Sequence, residues 1–335
     1  MRYEDVLHPT PEGLYCPPGD FWIDPVVPVP RALVTHGHAD HARSGHGAVL
    51  ATRQTLDIMA IRYGEGFTGR RQVADAPVDI GGVTVSFHPA GHVLGSAQIL
   101  LEHRGMRFVV SGDYCRHDNP SCLPFEPVPC DVFVTEATFA LPVFHHPAPQ
   151  DEIAKLMQSL TDFPERAHLV GAYALGKAQR VIALIRQAGW DRPIYIQGAL
   201  EKLCAYHEAE GIALGELRPA TDKGLKKADF AGEIIVAPPS AANTPWARRF
   251  PDPVVSFASG WMQIRNRAKA RGVELPMVLS DHADWPDLIR TIEELNPEET
   301  WITHGREDAL MRWCEMTQRV GRPLRLVGYE DEVPE

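Results

Sequence analysis

Three histidines and one aspartate fall within six consecutive positions of the segment THGHADH (35–41). Imidazole nitrogens and carboxylate oxygens are the ligands that zinc and related divalent cations bind in proteins. His36 and His38 follow a short apolar run, and two residues spaced by two positions can point to the same side and bind one ion. Asp40 and His41 lie on the following turn and can serve a second ion. The segment therefore predicts a metal site.

Four side chains cannot fill the coordination shells of two divalent ions, so further ligands must come from elsewhere in the chain. The best candidates are His92 in PAGHVLGSAQ, Asp113 in SGDY and His304 in ITHGRED. Each follows an apolar run, and each has a glycine beside it, which suits a backbone crowded near a site. We expect these three residues to join the four of the HxHxDH segment.

The elements that must position these residues are short apolar runs that end in a polar group. They are RALVT, MRFVVSGD, CDVFVTEAT, PMVLSDHAD and ETWITHG. Runs of this length and composition predict buried strands. Ligands gather outside the carboxyl ends of strands in sheets covered by helices, so the five runs predict one shared edge. Helical patterns at 54–64, 149–163, 176–190 and 287–296 alternate with the strands, which predicts an α/β fold.

The ligand-bearing runs are interrupted by a second series of α/β elements. It contains the strand candidates HLVGAY, RPIYIQG, GEIIVAPP and PVVSFASG, with helices between them. This pattern predicts an inserted domain at 149–274 within a first domain formed by 1–148 and 275–335.

Composition limits the class of protein. The chain has 335 residues, 44% hydrophobic and 23% charged, as expected for a folded globular protein. The net charge of −11 argues against non-specific polyanion binding through the overall field, although bound metal ions and a local basic patch can reverse the sign in one cleft. No apolar run approaches the ~20 residues that span a bilayer, and the first residues lack a signal-peptide core, so we expect a cytoplasmic protein.

The sequence resembles the metallo-β-lactamase superfamily, whose motif HxHxDH is followed by a later His, Asp and His. It resembles most the β-CASP nucleases, because acidic TEATF (Glu136), LSDHADW (His282) and THGRED (His304) match their further motifs. GAYALGKAQ and FASGWM also resemble segments of the β-CASP insert. The resemblance covers nearly the whole chain and implies an αββα sandwich with an inserted α/β domain. The segment GLYCPPGDFWIDPVVPVP is similar to a bacterial branch, the DNA exonucleases associated with ATP-dependent DNA ligases.

The resemblance implies two divalent metal ions, zinc with manganese as the alternative. One ion would take His36, His38 and His92, the other would take Asp40, His41 and His304, and Asp113 would bridge them. Asp24 in FWIDP matches an aspartate that supports the ligand loop, and Asp20 is its rival for that role.

The implied activity is that of a DNA exonuclease in repair, which hydrolyses a phosphodiester with a water activated by two metals. Asp40, Glu136 and His282 are the candidate catalytic residues. His282, oriented by Glu136, would protonate the leaving oxygen. The resemblance also implies DNA as partner, together with a DNA ligase and a helicase.

Four residues of the inserted region are candidates for nucleic-acid contacts. Lys177 begins a predicted helix, where amides and an ammonium group both favour a phosphate. Ser259 lies in a segment that resembles the family, and Arg265 and Arg267 open RNRAKAR, which contains four cations and no acid.

Several alternatives remain open at this point. The last histidine is shared with RNA-processing relatives, so a ribonuclease for RNA ends is the main rival. Small-ester hydrolases share HxHxDH, but the long insert and the Glu136–His282 pair disfavour them. An inactive scaffold subunit is disfavoured because every expected ligand position is filled.

Overall fold

The computed structural model describes residues 1–305 and 307–324 and divides into two compact units. The first contains Met1–Arg116, Cys122–His145 and the described residues between His282 and Leu324, and the second contains His117–Ser121 and His146–Asp281. The described part of the chain contains no helix long and apolar enough to cross a membrane.

The described elements are nineteen strands, seven α-helices and six short 3-10 helices. The strands are β1 (His8–Thr10), β2 (Gly13–Cys16), β3 (Phe21–Ile23), β4 (Arg31–Leu33), β5 (Ala48–Ala51), β6 (Arg71–Val73), β7 (Val78–Ile80), β8 (Val83–Pro89), β9 (Ala97–His103), β10 (Met106–Val110), β11 (Val132–Ala137), β12 (His168–Gly171), β13 (Ile194–Ile196), β14 (Leu217–Pro219), β15 (Ile234–Ala237), β16 (Val254–Ala258), β17 (Leu275–Met277), β18 (Glu299–Gly305) and β19 (Val320–Pro323). The helices are α1 (Arg53–Tyr63), α2 (Pro149–Asp162), α3 (Lys177–Gln187), α4 (Glu201–Ala209), α5 (Arg265–Ala270), α6 (Trp285–Leu295) and α7 (Glu307–Met316).

Two sheets face each other in the first unit. One has the order β1-β2-β3-β4-β5-β6, and the other has the order β19-β18-β11-β10-β9-β8-β7. Both sheets contribute to a single buried cluster that includes Leu33 and Leu50 from the first sheet and Leu101, Phe108 and Val134 from the second. The shared core therefore joins the two sheets face to face.

Helices cover the outer faces of this pair of sheets. Successive residues of β10 and β11 alternate between the two faces, so Phe108 enters the inner core while Val109 packs outward. The outward cluster includes Leu288 of α6 and Leu310 of α7. The other sheet packs against Leu56 and Met59 of α1. The architecture is an αββα sandwich, which confirms the predicted fold class.

The second unit is built on a parallel sheet of order β14-β13-β15-β12-β16-β17. Helices α2 and α3 bury Leu156, Val181 and Ile182 against the apolar strands, and a separate cluster that includes Phe230 and Phe250 forms elsewhere in this unit. The sequence predicts an inserted α/β domain at 149–274, and the unit observed contains His117–Ser121 and His146–Asp281.

The prediction that five polar-ended runs share one sheet edge was wrong. β4 belongs to the first sheet, while β10, β11 and β18 belong to the second. β17 pairs in parallel with β16 of the inserted unit, and residues 275–281, which the sequence pattern placed in the first domain, cluster with that unit. An apolar run specifies that a strand forms, but it does not specify which strand it pairs with.

Candidate active site

The first group of site residues lies just beyond β4, β8 and β10. His36 Nε2 is 3.1 Å from His38 Nδ1, and His92 Nε2 is 3.0 Å from the same nitrogen. Asp113 Oδ2 lies 3.4 Å from His36 Nε2 and 3.7 Å from His92 Nε2. One potential ligand atom from each of four side chains thus converges on one point.

The second group consists of Asp40, His41 and His304. Asp40 Oδ2 is 3.7 Å from His41 Nε2 and 4.0 Å from His304 Nε2, and the two imidazole rings stack with centroids 5.2 Å apart. His304 has a φ of +59°, a conformation that a non-glycine residue adopts at some cost. The backbone is therefore bent at the end of β18 where this imidazole leaves the strand.

Asp113 connects the two groups. Its Oδ2 lies 3.4 Å from His36 Nε2 of the first group and also 3.4 Å from His41 Nε2 of the second. Its Oδ1 is buried and has no hydrogen-bond partner among the described residues. Because a buried acceptor without a partner is costly, this oxygen is a strong sign that a cation belongs here.

The donor set fits divalent metal ions. Ligand atoms about 2.1 Å from one ion at tetrahedral angles lie about 3.4 Å apart, and the first group has separations of 3.0–3.7 Å. Nitrogen donors dominate this group, whereas the second group adds a carboxylate of its own. The seven residues that the sequence nominated are thus brought together, and their role as ligands remains a prediction.

Local electrostatics favour the protonation states that ligands require. Burial, reinforced by His41, lowers the pKa of His36 to about 4, and burial also lowers the pKa of His92 well below its ordinary value. Burial alone would raise the pKa values of Asp40 and Asp113, but the neighbouring histidines outweigh it. Asp40 falls to a pKa of about 2, so the neutral imidazoles of His36 and His92 face ionised carboxylates near neutral pH. His41 differs, because the carboxylates of Asp113 and Asp40 outweigh burial and raise its pKa well above the ordinary value.

Asp24 lies directly behind these groups. Its Oδ2 is 2.8 Å from His41 Nδ1, and its Oδ1 accepts from the Thr35 amide at 2.8 Å. Asp24 is buried with φ at +44°. Its rival Asp20 is exposed and accepts instead from the Tyr15 hydroxyl.

Glu136 and His282 form a buried pair next to Asp113. His282 Nδ1 lies 2.9 Å from Glu136 Oε2, which also accepts from the Thr138 hydroxyl at 2.6 Å. The Tyr114 amide donates to Glu136 Oε1 at 2.8 Å. These bonds hold the carboxylate rigidly beside the imidazole.

Comparison with known proteins gives consistent relatives. The chain is 27% identical over 322 residues to a probable DNA ligase of Opitutus terrae, a match that covers 90% of this chain and 30% of that protein. It is 27% identical over 293 residues to endoribonuclease ysh-1 of Neurospora crassa, covering 72% of this chain and 33% of the relative. These relatives support the resemblance of the chain to the metallo-β-lactamase superfamily and its β-CASP nuclease branch.

The match to these two relatives is partial in length, since the chain spans about a third of both proteins. No family model matches the chain. Among solved structures, a protein of unknown function from Enterococcus faecalis superposes with a TM-score of 0.57 at 12% identity, covering 87% of this chain and 78% of that one. This likeness shows the fold alone. The superfamily implies divalent metal ions, and the two His/Asp groups are where they would bind.

The structure buries Lys177, which the sequence predicts as a nucleic-acid contact of the insert. Lys177 is only 3% exposed, and its Nζ lies 3.0 Å from Leu279 O and 3.1 Å from Asp281 Oδ2. Arg180, one turn further along α3, donates to the same carboxylate at 2.8 Å. Lys177 is therefore committed to a buried ion pair and does not offer its ammonium group to a phosphate.

The other three candidates in the insert separate into two kinds. Ser259 is buried, and its hydroxyl accepts from the Trp261 amide at 3.3 Å, so it caps a short helical turn. Its role as a nucleic-acid contact stays a prediction. Arg265 and Arg267 are exposed, and the guanidinium of Arg267 lies 3.9 Å from the ring centroid of Trp261.

Sequence reasoning missed several residues that support the site. Thr35 and Thr138 contact the buried carboxylates, and Arg180 with Asp281 forms the ion pair before His282. The only signal for Thr35 was its position next to the HxHxDH segment. A charged residue in mid-helix, such as Arg180, is ordinarily taken to be solvated, so no local signal marked it.

Proposed function

We propose that the chain is a metal-dependent DNA exonuclease that acts on DNA ends in repair. The observation that carries the proposal is the shared oxygen of Asp113, 3.4 Å from a histidine of each group. A paired site of this kind suits a phosphodiester, because the substrate needs both an activated water and neutralisation of its phosphoryl charge.

His36, His38, His92 and Asp113 would hold one ion, and Asp40, His41, His304 and Asp113 would hold the other. Bound there, two divalent ions would supply Lewis-acid activation of water and stabilise charge on the phosphate. We propose zinc because imidazole nitrogen dominates the donor set, with manganese as the alternative.

His282 is proposed as the group that protonates the leaving oxygen. Its Nδ1 faces Glu136, so the opposite ring nitrogen, Nε2, is the atom that exchanges a proton with the substrate. Glu136 holds the ring in one orientation and stabilises the charge it acquires when protonated. Asp40 is also proposed as a catalytic residue, because it would help to hold the ion of the second group.

The preference for DNA rests on the relative from Opitutus terrae, named a probable DNA ligase, which matches 90% of this chain. That relative also supports a functional link to a DNA ligase. A helicase partner is proposed from the sequence resemblance alone. The ribonuclease alternative is supported by the endoribonuclease of Neurospora crassa, which matches 72% of the chain.

A surface of the insert is proposed to hold the substrate strand. It consists of Arg265, Arg267, Lys269 and Arg271 together with Trp261, whose partly buried ring lies under the guanidinium of Arg267. Cations bind the phosphate backbone, and an aromatic ring with a stacked guanidinium accepts a base without regard to sequence. This combination suits a single strand.

Matched DNA and RNA single strands test the choice between the two nucleases. Both are 5′-phosphorylated, labelled at either end and incubated with the protein in zinc or manganese, with an Asp40→Ala variant as the inactive control. Stepwise shortening of DNA with RNA spared is the expected result. Preferential cleavage of RNA would favour the ribonuclease, and cleavage of neither polymer would reject the nuclease proposal.

A further inference from the structure

The hydroxyl of Thr35 stands between a buried carboxylate and a candidate metal ligand. Thr35 is 1% exposed, and its Oγ1 lies 2.6 Å from Asp24 Oδ2 and 3.0 Å from His36 Nδ1. Its backbone amide also donates to Asp24 Oδ1 at 2.8 Å. Thr35 is thus fixed to Asp24 by two bonds and touches His36 with the same hydroxyl.

The direction of each hydrogen bond follows from the number of protons available. A carboxylate oxygen accepts only, so the hydroxyl must donate its single proton to Asp24. Toward His36 the hydroxyl can then only accept, and the proton of that bond must reside on Nδ1 of the imidazole. The other ring nitrogen, Nε2, is left with its lone pair.

The lone pair of His36 Nε2 faces the other candidate ligands of the first group. His36 Nε2 is the atom that lies 3.1 Å from His38 Nδ1 and 3.4 Å from Asp113 Oδ2 in the first group. The chain of bonds therefore sets which nitrogen of His36 faces the group.

The same carboxylate oxygen also contacts His41 directly. Asp24 Oδ2 is 2.8 Å from His41 Nδ1, so the other nitrogen of that ring, Nε2, faces the second group. Asp24 thus orients one imidazole of each group, His41 by direct contact and His36 through a hydroxyl. Removing the hydroxyl should affect the first group and leave the second unchanged.

The backbone opposite Thr35 is shaped to admit it. Gly112 has a φ of +57°, and a Cβ built there would lie 2.7 Å from both Cβ and Oγ1 of Thr35. Only a glycine leaves this space, and it immediately precedes Asp113. The packing leaves the Thr35 side chain little freedom to turn away from its two partners.

We propose that Thr35 is a positioning residue. Its hydroxyl connects Asp24 to His36 and fixes the Nδ1–H tautomer of His36, so that His36 binds the ion of the first group through Nε2. The inference rests on the metal-binding part of the proposed function. It names no new ligand, and it assigns a task to the residue directly before the HxHxDH motif.

Two substitutions at Thr35 distinguish the effect of the hydroxyl from the effect of the side-chain shape. Thr35→Val removes the hydroxyl at nearly constant volume, and Thr35→Ser keeps it. Thr300→Val, at a buried threonine of β18 outside this chain of bonds, is the matched control. Zinc binding to each metal-free protein is measured by calorimetry, and thermal unfolding reports that each variant is folded.

We expect Thr35→Val to weaken the first-group zinc affinity by about 10- to 100-fold, the usual effect of losing a group that orients a ligand. Thr35→Ser and Thr300→Val should bind like the wild type, and the second-group affinity should not change in any variant. Equal binding by Thr35→Val, or equal loss in Thr35→Ser, would overturn this role of Thr35. Failure of the wild type itself to bind zinc would instead reject the metal site.

A measurement on the unmodified protein covers the case in which Thr35→Val does not fold. Nitrogen NMR of the metal-free protein with ¹⁵N-labelled histidine distinguishes the two neutral tautomers, and His36→Gln assigns the signal by its disappearance. A proton on Nδ1 of His36 supports this role of Thr35, and a proton on Nε2 contradicts it.

Discussion

His282 Nδ1 lies 2.9 Å from Glu136 Oε2, although the two residues are 146 positions apart in the chain. The Thr138 hydroxyl and the Tyr114 amide hold the two oxygens of the same carboxylate. Because Glu136 is fixed by these donors, the imidazole that binds it is fixed in turn. The pair should therefore behave as one functional unit.

A double-mutant cycle tests this unity. His282→Ala and Glu136→Gln should each lower kcat by about 10²- to 10⁴-fold, the range typical of a lost general acid. The double variant should be no slower than the slower single variant, because groups that act as a unit are not additive. All three proteins should keep their metal content. His88→Ala, at a partly exposed histidine bound to Glu126, is the control. If the two losses of kcat multiplied in the double variant, His282 and Glu136 would not act as one unit.

The buried ion pair of Asp281 predicts a pH-dependent stability. Burial alone would raise the pKa of Asp281, but Lys177 and Arg180 outweigh it and lower that pKa below its ordinary value. A carboxyl with a lowered folded-state pKa stabilises the protein above its unfolded pKa of about 3.9, and this stabilisation is lost as the pH falls through the folded value.

Asp281→Asn should therefore reduce the free energy of unfolding by about 3–5 kcal/mol at pH 7, because two cations stay buried without their counter-charge. Urea denaturation should show the gap from wild type closing below about pH 4. Asp57→Asn, which breaks the exposed pair with Arg53, should change stability by less than about 1 kcal/mol. A gap that is constant from pH 7 to pH 3 would refute the electrostatic explanation.

The cationic surface of the insert predicts a change in salt dependence. Arg265→Glu combined with Arg267→Glu should weaken binding to single-stranded DNA and flatten the slope of log K against log salt by about 0.7 for each phosphate that is no longer neutralised. Arg53→Glu combined with Arg312→Glu changes the net charge equally, at exposed arginines of the first unit. Fluorescence anisotropy across a salt series measures DNA binding by both double variants. Identical slopes would contradict a role of this surface in DNA binding.

Gly112→Ala should disturb the first metal group through Thr35. The added Cβ would lie 2.7 Å from the Thr35 side chain, and the φ of +57° is unfavourable for alanine by about 1–2 kcal/mol. Gly105→Ala, with a φ of +82° and open space around it, isolates the cost of backbone strain. Zinc affinity should fall only in Gly112→Ala, and an equal fall in both variants would contradict the packing argument.

Much of this arrangement could be predicted from local patterns. The alternating apolar residues of β10 and β11 predict strands with two buried faces, because side chains alternate across a strand. Residues 36–41 contain so many ligand-type side chains that their spacing alone predicts a candidate metal group, and the structure places these side chains close together. The helix limits at 53–63 and 149–162 lie within one residue of the sequence interpretation.

Other features depended on partners that no local pattern specifies. Lys177 begins a helix and looks solvated, but residues 279–281, about a hundred positions later, bury it in an ion pair. The short run PMVLS predicts a strand, but only tertiary pairing assigns it to the insert. The role of Thr35 depends on the bond directions among three side chains, and these require coordinates.

Metal stoichiometry tests the central claim most directly. The metal-free protein is dialysed against zinc, and bound ions per chain are counted by mass spectrometry for the wild type, His92→Ala, His304→Ala and the control His88→Ala. We expect two ions for the wild type and the control, and one for each of the other variants. A wild type that binds no more than one ion, or variants that keep two, would contradict the paired site that Asp113 is proposed to bridge.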